Sequence, residues 1–207
     1  MSVWLGRHGQ RLLAHLLALA PLTWWSLRWL SGMLPADPVR YLMLRSGVVG
    51  IVALLAALAC TPLSALAGWR SAVQLRRPLG LYAVFYSALH LLIYAAFDGG
   101  LDWRLIARDL AERRAMLVGL AALLLLVPLA LTSTRGWQCR LGKRWRTLHT
   151  LVYVAAPLSV LHVYWLDRDI KTQALLYAAT VGVLLLLRLP PLRRALVRLR
   201  QGAPTPP

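Results

Sequence analysis

Residues 147–166 form a run of twenty without a charge, entered directly after three cations, Lys143, Arg144 and Arg146. At ~1.5 Å rise per residue, a helix of that length crosses the ~30 Å hydrocarbon core of a bilayer. Such a span constrains the whole chain, because in lipid every backbone donor and acceptor must find its partner within the protein. Inside the run sit His149 and His162, with Pro157 between them. Ionisable side chains at membrane depth are costly, so each calls for a functional reason. The two histidines lie ~20 Å apart along the helix axis. One falls near each membrane face, which suits passing electrons across the bilayer better than sharing one metal ion.

Five more apolar runs accompany this one, at about residues 12–34, 46–69, 78–97, 115–134 and 172–187. The expected fold is therefore an all-α integral membrane protein. It is a bundle of six transmembrane helices forming a single domain over residues 1–207. Only 15% of the residues are charged against 59% hydrophobic, and the charges gather between the runs, which leaves little room for a soluble domain. The net charge of +17 does not point to nucleic acid, since the arginines cluster at span ends where membrane anchoring accounts for them. Cys60 and Cys139 form neither a disulfide framework nor a CxxC pair. Arg7 and Arg11 precede an apolar run that continues past Trp24 without an A-x-A pattern, so it reads as a first span and not as a cleaved leader. No internal repeat of useful strength stands out. The 201–207 tail is expected to be disordered.

Charge then sets the orientation. With the N-terminus, the 70–77 loop, the 135–146 loop and the C-terminal tail on one side, that side collects 15 of the 24 Lys/Arg and none of the seven Asp/Glu. The Lys/Arg bias places both termini in the cytoplasm. Arg193, Arg194, Arg198 and Arg200 of the tail then lie on anionic lipid headgroups. The opposite side carries Asp37, Asp98, Asp102, Asp109, Glu112, Asp167 and Asp169. There, residues 98–114 alternate charges around Leu101, Leu105 and Leu110, which suits a helix lying at the interface.

Orientation turns the histidines into a depth argument. The third and fifth spans both run outward, so His90 lies ~7 Å from the level of His162 and ~12 Å from that of His149. His90 with His162 is the better pair. Two imidazoles from facing helices, in an apolar site without Cys or carboxylate, suit axial ligation of a b-type haem. Zinc wants three or four protein ligands at one level. A single intramembrane histidine is as readily a hydrogen-bonded packing residue, but three on two parallel spans are harder to explain that way. His8 reads as plain surface. His15 lies shallowly in the first span at nearly the depth of His149 and is a candidate partner for it in a second haem site. Thirteen residues turn an ideal helix by roughly 220° net, so His149 and His162 face different ways unless the helix kinks at Pro157.

Several short pieces carry a family resemblance: ADPV at 36–39, TPL at 61–63, RRPLGLY at 76–82, LH at 89–90, LTSTRG at 131–136, LGKRW at 141–145, LH at 148–149 and LHVYW at 161–165. Each is weak alone, while their order and spacing over nearly the whole chain are specific. The chain resembles the MsrQ (YedZ) family, haem-binding membrane subunits within the ferric-reductase-like transmembrane group. The wider group holds two stacked haems with two histidines on each of the third and fifth spans. Here Arg76 and Arg77 occupy the place one haem-spacing before His90, which leaves a second, cytoplasmic haem without its expected ligand on the third span.

The resemblance implies a multi-pass protein of the bacterial inner membrane that binds haem b and FMN, with His90, His162 and His149 as ligand candidates for haem iron. It implies electrons taken from the quinone pool or a cytoplasmic flavin reductase. They go to a periplasmic molybdenum-cofactor subunit, which itself reduces methionine sulfoxide and so repairs oxidised envelope proteins. Arg76 and Arg77 suit the flavin phosphate, although positive-inside anchoring explains them equally well. Tyr82, Trp145 and Trp165 are placed to border cofactors, as interfacial aromatics also are without any ligand. A proton-coupled transporter or channel using the histidines as a relay is the alternative; it calls for acidic partners inside the spans, and there are none. A purely structural scaffold gives no reason for three histidines in apolar helices.

Overall fold

The structure is a computed structural model that describes residues 2–166 and 171–192, with side chains from His8 onward. Asp167, Asp169, the four arginines of the tail and the 201–207 segment lie outside the described residues. Among the described residues all regular structure is helical. In chain order these are α1 (Ser2–Leu30), α2 (Pro38–Leu66), α3 (Ala72–Ile93, continued as a π-turn over Tyr94–Asp98), α4 (Trp103–Glu112) and α5 (Arg114–Leu131). Two short helices follow, α6 (Arg135–Leu141) and α7 (Lys143–Leu148), then a 3-10 turn at His149–Leu151, α8 (Val152–Leu166) and α9 (Lys171–Leu186).

Among the described residues, four stretches are long and apolar enough to cross a membrane: Pro38–Leu66, Ala72–Asp98, Arg114–Leu131 and Lys143–Leu166. They coincide with the second to fifth apolar runs of the sequence. The sixth run falls on the shorter apolar helix α9. The first falls on α1, which has the length but dilutes its leucines with His15, Thr23, Ser26 and Arg28. Helix boundaries depart from the uncharged runs for local reasons. Asp37 caps α2 by accepting from the Arg40 amide at 2.9 Å, and Pro38 occupies the first turn, so the helix starts well before its charges end. Gly68, at φ +73°, turns the chain from α2 into α3.

The bundle is organised as two helix pairs. The most extensive packing is α2 on α3 and α5 on α8, with α1 laid against α3 and α9 against α8. Lipid tails offer no hydrophobic drive between helices, so close approach through small residues holds them together. Ala83, Ala155, Ala156 and Ala174 are all buried at the crossings. A Cβ on Gly50 would come within 2.9 Å of the Ser87 hydroxyl. Leu54, Leu58, Leu126 and Leu184 fill the space between the pairs, while Leu16, Leu92, Leu124 and Leu176 face outward to lipid.

Prolines inside the spans leave carbonyls without their usual partner four residues on. Pro62 has no N–H to give to Leu58, and the guanidinium of Arg188, just past α9, donates to that carbonyl at 2.6 Å while its other arm donates to the Tyr153 hydroxyl at 2.8 Å. At one end of the bundle α4 folds back on the α3 terminus. Asp102 caps it at 2.8 Å from the Arg104 amide, and the Tyr94 hydroxyl donates to Asp109 at 2.6 Å. Among the described residues, the ion pairs are Arg108–Glu112 and Arg113–Asp109, both on this element. The opposite end carries α6 and α7 with Arg135, Arg140, Lys143, Arg144 and Arg146.

Candidate functional site

α3 brings His90 against α2, near the α4 end. There the imidazole Nδ1 lies 2.7 Å from the main-chain carbonyl of Met43. A carbonyl only accepts, so Nδ1 carries the proton and the neutral ring keeps its lone pair on Nε2. The ring gets this close because α2 presents Gly47 opposite it: a Cβ at that position would stand 3.1 Å from Nδ1 and 3.3 Å from Cε1.

α8 does the same to His162 on the other side of the bundle. Its Nδ1 lies 2.7 Å from the carbonyl of Ala115 in the first turn of α5. Gly119 faces the ring so closely that an added Cβ would fall 2.5 Å from Nδ1. His90 and His162 then meet across the two helix pairs, both half-buried, with ring centroids 6.1 Å apart and planes at 79°. A cavity of about 450 Å³ is lined by Ala115 together with Arg113, Arg114, Met116, Trp165 and Leu166.

The separation of 6.1 Å is compatible with two imidazoles that would hold one iron between them. Metal–imidazole bonds run ~2.0–2.1 Å and the ring centre lies roughly 1 Å beyond the nitrogen, so two such ligands set their centroids ~6 Å apart. An Nδ1–H held by a main-chain carbonyl is the usual outer partner of a metal-binding histidine: it fixes the tautomer and raises the basicity of the other nitrogen. Among the described residues no three His, Cys, Asp or Glu side chains gather at one point. A two-imidazole set suits a metal whose remaining ligands arrive with it, as a porphyrin's four nitrogens do. The depth count singled out this pair. It did not find Gly47 and Gly119 or the carbonyls of Met43 and Ala115, since a glycine in an apolar helix carries no signal of its own.

The remaining candidates stand elsewhere. His149, at the α7 end, stacks on Trp145 at 4.1 Å between centroids, with Nε2 3.4 Å from the Thr132 hydroxyl. Trp145 is itself anchored by donating its indole N–H to the Thr132 carbonyl at 2.9 Å. His15 is hydrogen-bonded to the Tyr82 hydroxyl at 2.9 Å, so the structure gives His15 and His149 separate partners. Arg77 is exposed and lines a cavity of about 520 Å³ between α1 and α3 with Arg11, His15, Gln74 and Tyr82. Arg76, one residue earlier and ~100° around the helix, is half-buried and lies within electrostatic reach of His149, Arg188 and Tyr153. The two adjacent arginines therefore serve different surroundings.

Residues 46–160 match the family described as ferric reductase like transmembrane component. A protein of Rhodospirillum rubrum, named protein-methionine-sulfoxide reductase heme-binding subunit MsrQ, is 45% identical over 193 residues, which cover 93% of this chain and 91% of that one. Proteins of the same name from Xanthomonas euvesicatoria and Xanthomonas axonopodis are each 42% identical over 180 residues, 84% of this chain and 82% of theirs. No solved structure matches.

Proposed function

Since the chain belongs to the MsrQ heme-binding subunits within the ferric-reductase-like transmembrane family, we propose that it is the electron-carrying membrane subunit of a methionine sulfoxide reductase system. The supporting observation is the His90–His162 pair, with both Nδ1 atoms on main-chain carbonyls and the rings 6.1 Å apart. These two histidines hold a b-type haem from opposite sides. Haem contributes one-electron redox at iron, and FMN links that to two-electron donors and acceptors.

In this reading the chain is a six-span protein of the bacterial inner membrane with both termini in the cytoplasm. It takes electrons from the quinone pool or a cytoplasmic flavin reductase and delivers them to a periplasmic molybdenum-cofactor catalytic subunit. That partner reduces methionine sulfoxide, a reversible oxidation product whose repair needs only reductant. His149 serves the cytoplasmic side. Arg77, with Arg11 beside it, and Arg76 near His149 are the guanidiniums placed to hold a flavin phosphate. The α4 element, with Trp103 71% exposed, faces the periplasm where the partner docks.

The deciding experiment is an absorption spectrum of the purified protein after haem-sufficient expression. A Soret band with α bands on reduction is expected; a colourless, well-folded preparation overturns the proposal. Topology is checked separately. A reporter fused after Pro207 is expected to be active only in a cytoplasmic assay, and one placed between Asp98 and Arg114 only in a periplasmic one.

A further inference from the structure

The two imidazole seats are copies of each other. Each bond from Nδ1 to a carbonyl spans 47 residues. Each carbonyl lies one helical turn before the glycine that faces the ring, Met43 before Gly47 and Ala115 before Gly119. Carbonyl, glycine and histidine all recur 72 residues on (43 and 115, 47 and 119, 90 and 162), and so do Ala83 and Ala155, Ser87 and Ser159, Leu89 and Leu161. Ala83 and Ala155 are both fully packed at equivalent places in α3 and α8. The α2–α3 and α5–α8 pairs are thus two versions of one hairpin. Each presents its histidine toward the other at the same depth.

From this duplication we infer that Gly47 and Gly119 are positioning residues for the two axial ligands, acting through the ring and not on the iron. The inference rests on the proposed haem role. Each glycine leaves the clearance that lets its imidazole lie on the carbonyl one turn earlier. That contact sets which nitrogen keeps the lone pair and the plane in which the ring is held. A methyl group at position 119 drives the ring off its carbonyl, leaving it free to rotate and to change tautomer, while one at position 47 nudges the ring within its seat. The two seats differ in tightness. An added Cβ meets Nδ1 at 2.5 Å at position 119 and at 3.1 Å at position 47. The first distance cannot be met without displacing the ring, while the second asks for a few tenths of an ångström.

The test compares purified Gly119→Ala, Gly47→Ala and Gly80→Ala with the parent protein by haem content and by the ferric low-spin electron paramagnetic resonance signal. Gly80 lies in α3 with nothing within 4 Å of an added Cβ, so Gly80→Ala is the control for a general helix effect. Helix propensity alone favours alanine over glycine at all three positions. Gly119→Ala is expected to lose haem affinity by on the order of 10–100-fold, the usual cost of disturbing a ligand's outer partner. Gly47→Ala is expected to keep its haem with a shifted low-spin signal, and Gly80→Ala to match the parent. Parent-like haem content and signal in Gly119→Ala overturn the inference. If that variant does not fold, Gly47→Ala decides, and an unshifted signal there overturns it. A parent protein that binds no haem defeats the functional proposal instead, which separates the two failures.

Discussion

Near the α4 end, two histidines give their Nδ1 hydrogens to main-chain carbonyls and keep Nε2 free; near the α7 end, His149 turns Nε2 toward a threonine and leans on Trp145 with the rings tilted by 35°. The Thr132 hydroxyl spends its hydrogen on the Pro128 carbonyl at 2.6 Å, so toward His149 it offers only an acceptor. That favours a proton on Nε2, the reverse of the other two histidines. The imidazole counted at nearly the same depth, His15, is hydrogen-bonded to the Tyr82 hydroxyl instead. Seventy-two residues before His149 the repeat has Arg77, which points to the cavity between α1 and α3. The two hairpins share a histidine pair at one depth and differ at the other. The seat of an imidazole in this bundle is thus built by backbone atoms and missing side chains as much as by the ring itself.

Histidine replacements test this contrast most strongly. His90→Ala and His162→Ala are each expected to convert a six-coordinate low-spin haem spectrum toward high spin or to abolish haem binding, because little else nearby can ligate iron. Both are expected to stop sulfoxide reduction by the partner when electrons must cross the membrane. His149→Ala has the next largest effect. It is expected to leave that low-spin signal in place while slowing delivery from the cytoplasmic side, measured as haem reduction rate with a cytoplasmic donor. Should His149→Ala erase the low-spin signal while His162→Ala spares it, the two levels have been assigned the wrong way round. The smallest effect belongs to Thr132→Val. Trp145 is held by the main-chain oxygen of residue 132 and keeps its stack on His149, so the loss is confined to one hydroxyl. A stability decrease of about 1 kcal/mol is expected in thermal denaturation, with haem content unchanged. A large loss of haem in that variant would make the α7 level as finely built as the other.

Much of this was legible in the amino-acid order. Apolar runs between clusters of cations marked the four long apolar helices because lipid leaves a long helix no cheaper option. The same counting put His90 nearer His162 than His149. The amphipathic 98–114 segment was readable as a helix, although three of its four acids prove to be engaged locally: Asp102 in a cap, Asp109 with Tyr94 and Arg113, Glu112 with Arg108. What counting did not give was the direction each imidazole faces. The 3-10 turn at His149–Leu151 resets the rotation between His149 and His162, and no residue there announces it. The repeat also escaped notice. Only a few identities survive among apolar residues that substitute freely, and the two features that matter most, a carbonyl and an absent side chain, leave no distinctive letter beyond glycine.

The bond between Arg188 and the Leu58 carbonyl also carries a clock. The two groups are 130 residues apart, and ribosomes add ~5–20 residues per second, so roughly 6–26 s separate the synthesis of one from the other. Through that interval α2 holds a proline-freed carbonyl at membrane depth without the guanidinium that will close it. The Leu58 carbonyl is therefore left open until α9 and the arginine behind it have entered, and a chain stopped before residue 188 would present quality-control proteases with an open backbone group that the finished protein hides.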